Sequence, residues 1–84
     1  MLDLQRLQKE IFQNKIDKGF NITDINMEFN LIHGELAEAF ESYHKKLGNT
    51  GEELADVTIF ILGLSEMLGI NLEDEILRKV AINK

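Results

Sequence analysis

The sequence predicts an all-α fold, in which four short helices form a helical bundle. Three observations predict it: apolar residues recur every three or four positions, only one short β-branched run occurs (57–61), and glycines interrupt the chain at intervals. With 84 residues, the chain is expected to be a single domain, 1–84, which is small for a self-sufficient core. We therefore expect dimerisation or tetramerisation to complete the bundle.

Glycines mark the expected ends of the first three helices. Gly19, Gly48 and Gly69 each follow an amphipathic stretch, and glycine readily adopts the left-handed conformation that ends a helix. Each glycine is followed by a residue that is suited to cap the next helix; these caps are Thr23, Thr50 and Asn71. The predicted helices cover roughly 2–18, 24–47, 51–68 and 72–83.

The second helix has the clearest helical period. Its apolar residues form one stripe, made of Ile25, Phe29, Ile32, Leu36, Phe40, Tyr43 and Leu47. Glu35 lies on the flank of this stripe, and Glu38 lies further round on the same side. Glu41 falls on the far side of the helix.

The third helix is apolar on nearly every face. Between positions 57 and 64, Thr58 is the single polar residue. A helix of this kind is buried on all sides, and four short helices cannot bury one of their own so completely. We therefore expect the third helix to lie at a subunit interface.

The fourth helix is amphipathic and polarised along its axis. Acidic residues occupy its start and basic residues its end, which complements the helix dipole. We expect Leu72, Ile76 and Val80 to form its buried edge.

Composition excludes several functional classes. A net charge of −6 argues against nucleic acid as a partner, and the absence of cysteine excludes disulfides and thiolate metal sites. No apolar run approaches the ~18–20 residues that a membrane span needs, so no membrane partner is expected. The first ten residues mix charges early and lack a signal-peptide core, so a cytoplasmic protein is expected.

Two pairs of carboxylates have the spacing of a metal site. Glu35 and Glu38 are three apart on the second helix, and Glu53 and Asp56 are three apart on the third. A short loop favours antiparallel packing, which lets both pairs meet. Such a cluster favours hard divalent ions, Mg²⁺ or Mn²⁺. Asp56 points to a metal most strongly, because it precedes an apolar run in which an unpaired charge is costly.

Simpler explanations exist for most of these acids. Thr50 and Glu53 fit a capping box at the start of the third helix. The glutamates of the second helix, Glu35, Glu38 and Glu41, also fit an ordinary solvated face. The capping box does not account for Asp56.

The segments "GELAEAF" and "GEELADVTIFILGL" resemble the MazG-like all-α nucleoside triphosphate pyrophosphatases. The family signature has two adjacent glutamates, a third three positions on, and a later Glu-x-x-Asp pair. Glu35 and Glu38 match the second and third glutamates, and the later pair is Glu53 and Asp56. Gly34 stands where the first glutamate belongs, so Glu28 or Glu41 is a candidate to replace it.

The resemblance implies a reaction and a set of roles. The reaction is hydrolysis of a nucleoside triphosphate, as the substrate partner, to the monophosphate and pyrophosphate. It implies Mg²⁺, with Mn²⁺ as an alternative, held by Glu35, Glu38, Glu53 and Asp56, where it binds phosphate and lowers the pKa of a bound water. Glu38 or Glu41 would accept the water's proton.

The segment "RKVAINK" is similar to the family's final helix, which implies that Lys79 and Asn83 contact the substrate. The alternatives are a dipole-complementing base for Lys79 and a frayed terminus for Asn83. The family often continues with an arginine and an aromatic residue, so that part of the phosphate site is expected to be absent or replaced.

Residues near the turn between the first and second helices are expected to have structural roles and not ligand contacts. Lys15 and Lys18 fit a solvated helix end better than a ligand contact, and Phe20 fits a hydrophobic staple or core plug better than a stacking surface.

The alternative to an enzyme is a non-catalytic helical interaction or regulatory module, for which Gly34 is the evidence. A purely structural bundle is the third hypothesis.

Overall fold

The computed structural model describes residues Met1–Lys84 and is entirely helical. Its helices are α1 (Leu4–Asp17), α2 (Ile25–His44), α3 (Thr50–Met67) and α4 (Leu72–Ile82). This confirms the predicted all-α fold of four helices. Gly19, Gly48 and Gly69 follow the first three helices with φ of 70°, 84° and 70°, so all three act as the predicted helix terminators. None of the helices combines the length and the apolar character needed to cross a membrane.

The caps of α2 and α4 are asparagine or aspartate residues. The Asp24 side chain accepts a hydrogen bond from the Met27 amide at 3.0 Å, so Asp24 caps α2 and the predicted cap Thr23 is wrong. Asn71 caps α4 as predicted, because its side chain accepts from the Asp74 amide at 3.2 Å. Short acceptor side chains at these positions satisfy amides that the helix itself leaves unpaired.

The start of α3 differs from the predicted capping box. Asn49 is the N-cap residue and makes no side-chain cap bond, while Thr50 is the first helical residue. The Thr50 hydroxyl pairs with Ser42 Oγ at 3.1 Å, and Ser42 Oγ also donates to Asn49 Oδ1 at 2.5 Å. Thr50 therefore closes the α2–α3 loop and leaves Glu53 without a capping role.

Three pairs of helices form the main contacts of the fold. α2 and α3 form an antiparallel hairpin, α1 packs on α3, and α4 contacts α1. The α2 face that is buried in the hairpin carries Glu28, Ala39 and Ser42, and Glu35 is half-buried between them. The interior side of α2 is therefore mostly polar or small.

The apolar stripe of α2 lies outside this interior. Its largest members are 48–70% exposed; they are Phe29, Leu36, Phe40, Tyr43 and Leu47. On α3, Leu54, Ile61 and Leu68 recur every seven residues and are also exposed. Helical geometry puts both rows on the same side of the antiparallel hairpin. Within this chain α3 is thus buried on only part of its surface, and its place at a subunit interface stays a prediction.

The helix α4 packs loosely at the edge of the fold. It has no buried residue, and Ile76 and Val80 of its predicted buried edge are 42% and 53% exposed. Gln8 of α1 attaches its start, because the Gln8 amide donates to Ile70 O at 2.6 Å and accepts from the Leu72 amide at 3.3 Å. Of the predicted edge, only Leu72 is half-buried.

Candidate metal centre

Three carboxylates meet where α2 and α3 face each other. One carboxylate oxygen from each of Glu35, Glu38 and Glu53 lies within 4.8 Å of the other two. Glu35 and Glu38 project from one turn of α2, and Glu53 projects from the first turn of α3. The predicted pairing of the two helices therefore brings three of the four predicted ligands together.

The α2–α3 loop positions this cluster. The hydrogen bonds of Ser42 to Asn49 and Thr50 fix the start of α3 against the end of α2. Glu53 follows Thr50 by three residues, and Glu35 precedes Ser42 by two turns, so antiparallel packing places the two acids opposite each other. The loop hydrogen bonds are polar contacts that hydropathy patterns do not predict.

Burial and the neighbouring charges raise the pKa values of two members of the cluster. The pKa of Glu35 is raised from its ordinary value of 4.5 by burial first, then by the neighbouring charges of Glu38, Asp56 and Glu53. The pKa of Glu53 is raised by burial and by Asp56, Glu38 and Glu52. Carboxylates that are held together in this way favour a proton or a cation among them.

Glu53 carries the atom that fits a cation best. Its Oε2 is buried and has no hydrogen-bond partner, while its Oε1 accepts only a long hydrogen bond of 3.4 Å from Asn49 Nδ2. A buried carboxylate oxygen without a partner is costly, and a hard cation would satisfy it. The donor set is all oxygen, which suits Mg²⁺ or Mn²⁺.

No family model, curated protein or solved structure matches this chain. The candidate centre therefore rests on its own residues and their geometry. That geometry is three carboxylates of two helices whose oxygens approach one another within 4.8 Å.

Asp56 lies beside the cluster and not within it. It is exposed, and it is not one of the three carboxylates whose oxygens approach within 4.8 Å. Its charge nevertheless raises the pKa of both Glu35 and Glu53. The expectation that Asp56 is a buried charge is wrong, because at this point α3 turns its Asp56 side toward solvent; the buried carboxylate oxygen belongs to Glu53.

The two candidates for the missing ligand lie elsewhere. Glu28 is 1% exposed and pairs with Lys15 and Asn21, away from the three clustered carboxylates. Glu41 is exposed, and its bond to Lys45 at 2.5 Å lowers its pKa. Neither residue therefore replaces the first signature glutamate, whose position Gly34 occupies.

Lys79 and Asn83 are exposed on α4, which contacts α1. Neither forms a salt bridge or side-chain hydrogen bond with the clustered carboxylates. Asn83 is the C-cap of α4 and its amide donates to Lys79 O at 2.9 Å. Lys79 lies in the last turn, where its charge complements the helix dipole.

Sequence reasoning missed a buried ion pair between α1 and α2. Lys15 is 9% exposed and its ammonium donates to Glu28 Oε1, so the expected solvated helix end is wrong for Lys15. Lys18 is exposed as expected. The missed signal was the spacing of Gln8, Ile11 and Lys15, which puts Lys15 on the inward stripe of α1.

Proposed function

We propose that the protein is a metal-dependent nucleoside triphosphate pyrophosphohydrolase. It would convert an NTP or dNTP and water to the monophosphate and pyrophosphate. One observation carries the proposal: three carboxylates from two helices converge, and one of them holds a buried oxygen without a partner. The match of Glu35, Glu38, Glu53 and Asp56 to the MazG-like signature supports the same reaction.

Glu35, Glu38 and Glu53 would hold Mg²⁺, or alternatively Mn²⁺, with the Asp56 charge beside them. The ion, when bound, supplies positive charge to phosphate oxygens and makes water more acidic. The chain itself has a net charge of −6, so the carboxylates alone would repel a triphosphate.

Hydrolysis needs one new bond, one broken bond and a proton acceptor. The water oxygen bonds to the α-phosphorus, and the bond from that phosphorus to the oxygen bridging to the β-phosphorus breaks. Pyrophosphate leaves with this bridging oxygen, and a carboxylate takes the proton from water. We assign this role to Glu38, since it is an exposed member of the cluster, whereas the pairing of Glu41 with Lys45 lowers the pKa of Glu41 and weakens it as a base.

Lys79 and Asn83 remain substrate contacts in this proposal. Lys79 would offset charge on the departing pyrophosphate, and Asn83 would donate a hydrogen bond to phosphate or sugar. Substitution of Lys79 by Met tests this role, since a residue that only complements the helix dipole changes stability and leaves the Michaelis constant unchanged.

The deciding experiment is pyrophosphate release from a panel of NTPs and dNTPs with Mg²⁺ or Mn²⁺. Glu53→Gln should lower release by at least about 100-fold, since it replaces a ligand within the cluster. Glu52→Gln is the matched control, because this exposed neighbour lies outside the three converging carboxylates. Absence of release with every substrate and both metals, together with no thermal shift on adding metal, contradicts the proposal.

The alternative is a non-catalytic interaction module that keeps the helices. Gly34 at the first signature position and the exposed Asp56 favour it, because both reduce the number of converging ligands. This alternative predicts partner binding without pyrophosphate release. It also predicts that Asp56→Asn leaves the response to Mg²⁺ unchanged.

We also propose that a second copy covers the exposed apolar side of the α2–α3 hairpin, giving a homodimer or homotetramer. Eight large apolar side chains are exposed there, and soluble monomers rarely display so extensive an apolar patch. Around a two-fold axis, the same apolar surface of two identical chains packs against itself, so each chain covers the other.

Light scattering after size exclusion tests this assembly. Phe40 is 64% exposed at the middle of the stripe, so Phe40→Glu should shift the mass toward that of a single chain. Asn30→Glu adds the same charge on an exposed site of α2 away from the stripe and should leave the mass unchanged. A wild-type protein with the mass of one chain overturns the proposal.

A further inference from the structure

A charged pair, formed by Lys15 of α1 and Glu28 of α2, is buried beside two cavities. Lys15 and Glu28 are 9% and 1% exposed, although few residues in this small chain are buried at all. The Lys15 ammonium donates to Glu28 Oε1, and Asn21 Nδ2 donates to Glu28 Oε2 at 3.2 Å. Burial of two charges costs free energy that a single ion pair seldom recovers, so a purely stabilising role explains this pair poorly.

The pair retains hydrogen-bonding capacity. An ammonium has three N–H donors, and Glu28 takes the one bond that Lys15 makes. A carboxylate offers about four acceptor positions, of which Lys15 and Asn21 occupy two. Lys15 and Glu28 can therefore present a donor and an acceptor side by side.

Two cavities border this pair, since Lys15 lines both of them and Glu28 lines one. One has a volume of about 370 Å³, with Ile59 and Gly63 in its wall. The other has a volume of about 280 Å³ and includes Leu31. Lys15, Phe20 and Phe60 line both of them. These volumes are close to the lower end of the range, ~300–1,000 Å³, that is typical of small-molecule sites.

Two aromatic side chains line both cavities. Phe20 is 57% exposed, so it is neither a core plug nor a buried staple, and Phe60 is half-buried opposite the same lysine. Aromatic faces of this kind stack on planar heterocycles and tolerate different ones. Gly63 keeps the Lys15 stem close to α3, because an added Cβ would lie 3.3 Å from Lys15 Cδ.

None of the three clustered carboxylates lines the smaller cavity, but helical spacing relates its wall to them. Leu31 in its wall precedes Glu35 by one turn of α2, and Phe60 follows Asp56 by one turn of α3. Residues four apart lie on the same face of a helix, so the cavity continues the line of the carboxylates. A ligand with phosphates at the carboxylates would place its other end here.

We propose that the Lys15–Glu28 pair recognises the edge of the heterocyclic base of the nucleotide, which lies against Phe20 and Phe60. This inference rests on the proposed function, since it takes the phosphates to lie at the carboxylate cluster. Every nucleobase edge presents an acceptor for Lys15, and an adjacent N–H completes the match with Glu28. Phosphate is a poorer occupant, because Glu28 already neutralises the Lys15 charge.

The first test is a titration with nucleosides, which carry the base without phosphate. Adenosine, guanosine, cytidine, uridine and thymidine are added to the metal-free, ¹⁵N-labelled protein. We expect at least one nucleoside to shift the amides of Phe20, Phe60 and Gly63 without shifting that of Glu53. Failure of all five nucleosides to shift these amides overturns the inference, whether or not the protein hydrolyses triphosphates.

The variant for both tests is the double substitution Lys15→Met with Glu28→Met, which removes both charges and so avoids leaving one buried alone. It should abolish the nucleoside shifts and preserve those caused by Mg²⁺ with tripolyphosphate at Glu35 and Glu53. Lys9→Met, at an exposed lysine of α1 that borders neither cavity, is the control and should preserve both sets. Retention of the nucleoside shifts by the double variant overturns the inference.

The second test compares kcat/KM among NTPs that differ in the base. The ratio between the best and the poorest base should fall about tenfold or more in the double variant, since a charged hydrogen bond to the base is lost. An equal fall for all bases overturns the inference and leaves the proposed hydrolysis intact. Nucleoside shifts in a protein that releases no pyrophosphate support the base site and contradict the proposed hydrolysis.

Discussion

Carboxylate oxygens of Glu35 and Glu53 lie within 4.8 Å of each other, across the interface between α2 and α3. Burial and the charges of neighbouring carboxylates raise the pKa of both residues. The two helices therefore meet at a point of electrostatic repulsion. Helix packing elsewhere in the hairpin must offset this repulsion in the absence of a cation. A cation bound among these carboxylates would therefore stabilise this interface.

Removal of one cluster charge should stabilise the metal-free protein. Glu53→Gln relieves repulsion with Glu38 and Asp56, so we expect its melting temperature in EDTA to exceed that of the wild type. Addition of Mg²⁺ should raise the melting temperature of the wild type and have a smaller effect on the variant. Differential scanning calorimetry measures both. Glu52→Gln, with the same change in charge, should give a smaller shift in EDTA.

The same pair of proteins should show a defined pH dependence. The pKa of Glu53 is raised in the folded state, so the folded protein binds the proton more tightly than the unfolded chain does. Protonation at Glu53 therefore stabilises the fold fully below the ordinary pKa of 4.5, and this stabilisation is lost as pH rises through the raised value. The advantage of Glu53→Gln in EDTA should be largest at neutral pH and should vanish near pH 4. A difference in stability between the variant and the wild type that stays constant from pH 4 to neutral pH contradicts a raised pKa of Glu53.

Two helical glycines should respond in opposite directions to alanine. Gly34 has no atom within 4 Å of an added Cβ, so Gly34→Ala should stabilise the protein by about 0.5–1 kcal/mol through helix propensity. A Cβ added at Gly63 would lie 3.3 Å from Lys15 Cδ, and the burial of Lys15 leaves that side chain little room to move. We expect Gly63→Ala to cost about 1 kcal/mol. Urea unfolding of both variants under one set of conditions makes the comparison.

The buried pair should show strong coupling. Lys15→Met leaves the Glu28 carboxylate buried without its cation, and we expect a loss of about 3–5 kcal/mol. The double variant with Glu28→Met should recover most of this loss. A double-mutant cycle by chemical denaturation measures the coupling. Additive losses would show that the two side chains do not interact in solution.

The helical fold was predictable from local chemistry. Glycine at positions 19, 48 and 69, each after an amphipathic stretch, sufficed to divide the chain into helices. Few residues other than glycine adopt the left-handed backbone conformation at low cost. The convergence of Glu35, Glu38 and Glu53 also followed from spacing and a short loop. Cap identity at α2 and α3 did not, because neighbouring Thr, Asp and Asn residues compete for the same amides.

The orientation of α2 could not be predicted from its own sequence. An apolar stripe marks a face that avoids water, but it does not say whether α3 or another molecule covers that face. In this chain α3 covers the side that carries Glu28, Ala39 and Ser42, while Phe40 and its row remain exposed. Asp56 illustrates the same limit, since a place beside apolar residues in sequence did not make it buried in space.

Few hydrogen bonds attach α4 to α1: those of Gln8, and one from the Leu4 amide to Glu73 Oε1 at 3.0 Å. Gln8 is 1% exposed and holds both Ile70 and Leu72, whereas α4 itself buries no residue. Local opening of α4 thus exposes little apolar surface and breaks few long-range bonds, so its amides should exchange with deuterium long before those of α3. Partial unfolding of this protein should therefore begin at its C-terminal helix while the α2–α3 hairpin stays intact.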